Sequence, residues 1–120
     1  MNRNMGILDR LYEIITARRD ERPSGSYVVS LLDGGWDEMA AKVREEAEEV
    51  AQAARDEGDD ALAHEVADLL FHVWVMMVSR GVPPSAVFAK LEERFGVGGL
   101  EEKASRTGEP SQARGQSRSD

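Results

Sequence analysis

DEMAAKVREEAEEVAQAARD, residues 37–56, and DALAHEVADLLFHVWVMMVS, residues 60–79, decide the fold. Both stretches repeat apolar residues at helical spacing and contain neither Gly nor Pro. The polar link Glu57-Gly58-Asp59 turns the chain back between them, so two long antiparallel helices are expected. The first is about 30 Å long at 1.5 Å per residue. Inside them lie two matched acidic pairs, Glu46-x-x-Glu49 and Glu65-x-x-Asp68. Residues three apart on a helix are neighbours, with Cβ atoms roughly 5–6 Å apart. Each pair therefore aims two carboxylates at one point, and antiparallel helices can turn all four toward one another. Four anions do not share a low-dielectric pocket without a cation to offset their repulsion. A divalent metal is the economical expectation.

Working outward, 100° steps along 37–56 place Met39, Val43, Ala47, Val50 and Ala54 on one face and Arg44, Glu48 and Arg55 on the other. Glu46 falls between Met39 and Val50, inside the apolar stripe, with Lys42 and Glu49 beside it. An unpaired carboxylate there would be expelled or neutralised. On the second helix Ala61, Glu65, Asp68, His72 and Met76 share a stripe, and beyond Val66 the helix is apolar nearly all round. Such a helix needs cover on every side, which a domain of this size struggles to supply alone. A homodimer or higher assembly is expected.

The remaining chain reads as shorter helices and breaks. Ile7 to Arg19 has the spacing of an amphipathic helix, and Asp20 to Gly25 reads as a loop. Ser26 to Leu32 reads as a short helix with Ser26 as N-cap, stopped by Gly34-Gly35; its Val28-Val29 pair also permits a strand. Gly81-Val82-Pro83-Pro84 ends the second long helix and starts another, with Val87, Leu91 and Phe95 as its inner face. Gly96 to Gly99 is a break, and Leu100 to Arg106 suits one further turn. Residues 107–120 are rich in Ser, Gly, Gln and Arg and read as a disordered tail. The expected architecture is all-α: one helical-bundle domain over 1–106, completed by dimerisation.

Formal charge is 15 − 23 = −8, which argues against nonspecific binding of nucleic acid or anionic membrane. The absence of cysteine removes disulfides, zinc–thiolate sites and thiol nucleophiles. Residues 1–5 lack the apolar run of a signal peptide, and Val66 to Val78 is short for a bilayer span and holds Asp68 and His72. A cytoplasmic location is the expectation.

The bland alternative for the acidic pairs is a solvated, salt-bridged helix face. It suits Glu48, Glu57 and Glu92-Glu93, but not Glu46 or Asp68, which sit among apolar neighbours. A buried salt bridge from Asp68 to an arginine of another helix is the stronger structural alternative. All-oxygen ligands favour Mg²⁺ or Mn²⁺ over zinc or copper. A di-iron bundle requires Glu-x-x-His motifs, which His64 and His72 do not complete. His72, one turn after Asp68, suits either orientation of Asp68 or a water, or a satisfied place in the core. Lys42 suits either an ion pair or contact with a substrate phosphate. Trp36 and Trp74 read as packing residues.

The segments Lys42-Val43-Arg44-Glu45-Glu46-Ala47-Glu48-Glu49-Val50 and Glu65-Val66-Ala67-Asp68-Leu69-Leu70-Phe71-His72 resemble the all-α nucleotide pyrophosphohydrolase superfamily, whose signature is Glu-Glu-x-x-Glu followed by Glu-x-x-Asp. Ser26-Tyr27, Leu31-Leu32, Gly34-Gly35, Arg80-Gly81-Val82, Arg94-Phe95-Gly96 and Gly99 to Arg106 narrow the resemblance to the phosphoribosyl-ATP pyrophosphatase family of histidine biosynthesis, over about residues 7–106. The resemblance implies Mg²⁺-dependent hydrolysis of phosphoribosyl-ATP to phosphoribosyl-AMP and pyrophosphate. It implies Glu46, Glu49, Glu65 and Asp68 as metal ligands, and Glu45 as a further ligand or as base for the attacking water. Lys42, Lys103 and Arg106 would hold phosphates, with Ser26 and Tyr27 lining the cleft. Val28 stands where the family often carries Thr, and the tail has no matching counterpart. Two rivals remain at this stage: a related enzyme clearing noncanonical nucleoside triphosphates, and a non-catalytic helical dimerisation module.

Overall fold

A computed structural model describes residues 6–96. Four helices follow in order, α1 (Ile7–Glu21), α2 (Tyr27–Asp56), α3 (Asp59–Arg80) and α4 (Pro84–Phe95), with no strand among the described residues. The all-α expectation holds. The chain divides into two compact units, Met1–Pro84 and Ser85–Asp120. The first carries α1 to α3. Residues 97–120, with the expected turn at Leu100 to Arg106, the tail, Lys103 and Arg106, lie outside the described residues.

Ser26 caps α2, its Oγ accepting the Val29 N–H at 3.2 Å. This satisfies one of the donors that a helix start leaves open. The helix then runs through Gly34 and breaks direction at Gly35, whose φ of 81° suits a residue without Cβ. The expected stop at Gly34-Gly35 is thus a kink, and the short helix and the first long helix are parts of one element. The strand alternative at Val28-Val29 does not occur. Gly81 (φ 73°) closes α3 at its C-terminus: its N–H donates to Val78 O, and that of Val82 donates to Met77 O.

The core gathers Ile15 of α1, Val28, Leu31 and Met39 of α2, and Trp74, Val75 and Val78 of α3. Fully burying side chains of this size contributes about 1.5–3 kcal/mol each. Trp74 is fixed in that layer, since its indole N–H donates to Leu8 O at 2.9 Å. Its reading as a packing residue holds. Trp36 departs from it, being 62% exposed beneath the Arg44 guanidinium, 5.7 Å from the ring centre.

Along the second part of α2 Met39, Ala40, Glu46 and Ala53 are buried, with Val43 and Val50 half-buried, while Ala47 and Ala54 are exposed. The expected face is therefore rotated. A row of 39, 43, 46, 50 and 53 alternates steps of four and three, the period that keeps a neighbouring helix in register. The row through 47 and 54 drifts off that neighbour. On α3, by contrast, the stripe Ala61, Glu65, Asp68, His72 and Met76 is at least half-buried throughout. By length and composition α3 is apolar enough to cross a membrane, beyond the shorter segment considered from sequence. Of its side chains, His72, Trp74, Val75 and Val78 are buried. Val66 remains exposed, with Leu69, Leu70, Val73, Met76 and Met77 only half-buried.

In the second unit, Gly96 N–H donates to Glu92 O at the end of α4, and Lys90 pairs with Glu93 at 3.7 Å. Of its expected inner face only Val87 is half-buried; Leu91 and Phe95 are exposed.

Candidate functional site

Glu46 and Glu49 of α2 meet Glu65 of α3 near the link between the two helices. One carboxylate oxygen from each lies within 4.8 Å of the others. Glu46 is only 7% exposed, and both Glu46 Oε1 and Glu65 Oε1 are buried without a hydrogen-bond partner. Leaving a buried acceptor unmatched costs about 1–3 kcal/mol, and more for a charged group. Burial pushes the Glu65 carboxyl above the ordinary range, and a hydrogen bond to Glu49 and the charges of Glu49 and Asp68 push the same way, against His64. Three crowded carboxylates, two of them with a buried oxygen that no protein donor meets, fit a hard divalent cation, which prefers oxygen ligands and offsets their mutual repulsion.

Asp68 does not join the three. Its Oδ2 pairs with His64 Nε2 at 3.3 Å, one turn back on α3, and its side chain is 43% exposed. A partly solvated carboxylate gains more from an imidazole than from three other anions. This also departs from the alternative in which Asp68 pairs with an arginine of another helix. The i,i+4 spacing of His64 and Asp68 was the signal available in the sequence for that pair.

Glu45 points away from the buried seam, is exposed, and accepts from Lys42 Nζ at 3.2 Å. That hydrogen bond holds the Lys42 ammonium above its ordinary range, with smaller pulls from Tyr27, Glu45 and Glu46. Ser26 is committed to its cap, and Tyr27 bonds His72 Nε2 at 2.9 Å. His72 in turn bonds the Asp68 carbonyl through Nδ1 at 2.8 Å. Tyr27 and His72 are 45 positions apart, and no local pattern announces their meeting. An open cleft beside Tyr27 is lined by Arg22, Ser26, Ser30 and Asp33, with Arg22 clamped to Asp33 at 2.7 Å.

The family model described as "Phosphoribosyl-ATP pyrophosphohydrolase" matches residues 8–95. Among curated proteins, a phosphoribosyl-ATP pyrophosphatase of Trichlorobacter lovleyi is 45% identical over 106 residues, covering 88% of this chain and 98% of that protein. The protein of the same name from Methylococcus capsulatus is 44% identical, with 85% of this chain and 97% of that one covered. That of Rhodopirellula baltica is 46% identical over 82% and 85%.

Proposed function

The chain belongs to the phosphoribosyl-ATP pyrophosphohydrolase family, and on that premise we propose a reaction and a division of labour among its residues. It is a hydrolase of histidine biosynthesis that cleaves phosphoribosyl-ATP to phosphoribosyl-AMP and pyrophosphate. Glu46, Glu49 and Glu65 would hold Mg²⁺, or Mn²⁺ in its place, with Asp68 as a fourth ligand once free of His64. The observation that carries this assignment is the pair of buried, unpartnered oxygens, Glu46 Oε1 and Glu65 Oε1. When bound, the ion neutralises phosphate charge and makes a water a better nucleophile.

The residues around the centre supply positioning. Lys42 takes a substrate phosphate oxygen, and in doing so releases the Glu45 carboxylate it now occupies. Glu45 then accepts the proton of the attacking water as the α–β phosphoanhydride is displaced in line. Such a displacement needs orientation and charge neutralisation more than covalent participation. Ser26 and Tyr27 line the cleft that receives the rest of the substrate, and Lys103 and Arg106 add phosphate contacts. A second copy of the chain covers the partly open apolar surface of α3, making a homodimer. The enzyme works in the cytoplasm, with no nucleic-acid or membrane partner.

Pyrophosphate release from phosphoribosyl-ATP, with Mg²⁺ titrated from zero, tests the reading. Turnover that is absent without metal and rises to saturation is expected. Good turnover of simple deoxynucleoside triphosphates with poor use of phosphoribosyl-ATP would overturn the substrate assignment in favour of a nucleotide-clearing enzyme.

A further inference from the structure

His72 is buried, and both of its ring nitrogens are engaged. Nδ1 lies 2.8 Å from the Asp68 carbonyl oxygen, which can only accept. Nδ1 therefore carries the ring proton and donates, and in the neutral ring Nε2 is left as an acceptor. The Tyr27 hydroxyl, 2.9 Å from Nε2, must then be the donor. A phenol has one hydrogen to give, and here it is spent on His72. The lone pairs of Tyr27 Oη remain.

The ring that carries this oxygen is well held. It stacks on Phe71 at 6.0 Å and 15°, and meets the His72 ring edge-on at 5.8 Å. It is nevertheless 49% exposed, beside the cleft lined by Ser26 and Ser30. Lys42 Nζ, the nearby cation, is engaged by Glu45. We propose that His72 is a positioning residue that fixes the Tyr27 hydroxyl as a hydrogen-bond acceptor toward the substrate, so that Tyr27 reads a sugar hydroxyl or base N–H donor and not a phosphate oxygen. The inference rests on the proposed nucleotide substrate and deepens it. Phosphate oxygens, which only accept, are left to cationic groups. The organic part of the nucleotide meets an acceptor whose polarity is set from the neighbouring helix. A substrate group unable to donate would leave that acceptor facing it unmatched.

Two measurements on the full chain test this. The ¹⁵N spectrum of the histidine rings should show the Nδ1–H tautomer for His72, and Tyr27→Phe should shift its Nε2 resonance. Binding is then measured in Mg²⁺ with two probes, phosphoribosyl-AMP and pyrophosphate. Tyr27→Phe should weaken phosphoribosyl-AMP by about 3- to 10-fold, the loss of one hydrogen bond, and leave pyrophosphate unchanged. His72→Leu should produce the same split, and His72→Gln, which returns an acceptor, should restore most of the loss. An analogue lacking ribose hydroxyls separates the two donors: equal binding to wild type and Tyr27→Phe assigns the sugar, a persistent difference the base. A protonated Nε2, or a loss confined to pyrophosphate, would overturn the proposal. Wild-type protein that binds no phosphoribosyl-AMP strikes the functional reading instead, whereas wild-type binding unchanged by Tyr27→Phe strikes this inference alone.

Discussion

The two ends of the α2–α3 pair are built on opposite principles. Toward the Gly35 kink and Gly81, side chains of α1, α2 and α3 interdigitate, and the buried polar groups there are matched, Trp74 to Leu8 O and His72 to Tyr27 and Asp68 O. Toward the Glu57-Gly58 link, α2 and α3 instead press Glu46, Glu49 and Glu65 together, leaving two buried oxygens without partners. One end gains stability from burial. The other gives stability up, because crowded carboxylates repel and lose hydration. Substitutions at the two ends should therefore have opposite signatures: loss of activity without loss of stability at the link, and the reverse at the kink.

The largest expected effect breaks the acidic end. Glu46→Gln should lower turnover by about a hundredfold or more, roughly 2.7 kcal/mol of transition-state stabilisation. The metal-free protein should melt at the same temperature or higher, since one of three repelling charges is gone. Pyrophosphate release and a thermal melt in chelator report both quantities. Severe destabilisation of the apo variant would mean that Glu46 holds the fold together, and the contrast between the ends would fail. At the other end, Val75→Ala removes two carbons from a side chain with no exposure. It should cost about 2 kcal/mol in denaturant unfolding, from about 0.8 kcal/mol per buried carbon plus a cavity. Turnover below the melting range should stay near that of the parent.

A smaller effect follows from Glu65, whose carboxyl is raised above 4.5 by burial first and by Glu49 next. The folded state then holds this proton more tightly than the unfolded chain does. The contribution is fully present below the unfolded value of 4.5 and is lost as pH rises through the higher folded value. Metal-free wild type should thus lose melting temperature relative to Glu65→Gln as pH climbs through that window. Parallel curves would mean that the three carboxylates do not sense one another.

The contrast between the ends was only partly legible in the chain. Helix existence and the Glu46 anomaly follow from period alone, because a carboxylate at the centre of an apolar row is a local pattern. The exact row was not, since Ala47 and Ala54 match an ideal helix face as well as Glu46 and Ala53 do. Only the presence of α3 selects the seam. Gly34-Gly35 announced a break but not that the helix resumes at once beyond it. Meetings such as Tyr27 with His72 depend on how two helices are phased, which no single segment encodes. For Asp68 the spacing to Glu65 was visible, while its choice of His64 rests on the balance of repulsion within the centre.

That balance yields the smallest and most discriminating expectation. Asp68 is held off the other three carboxylates by His64, one turn away, in a pair whose members are both substantially exposed. Pairs of this kind contribute little, about 0.2–1 kcal/mol. If a divalent ion recruits Asp68, binding must first break this pair, and the ion must also approach a ring that carries positive charge whenever it is protonated. Both terms oppose the metal. His64→Ala removes both, so Mg²⁺ affinity should rise by about 1.5- to 5-fold. Titration calorimetry of wild type, His64→Ala, Asp68→Asn and the double variant reads the coupling directly. In the Asp68→Asn background the His64 substitution should lose most of its effect. An undiminished effect would mean that His64 acts only through its charge, and that Asp68 stays outside the metal centre.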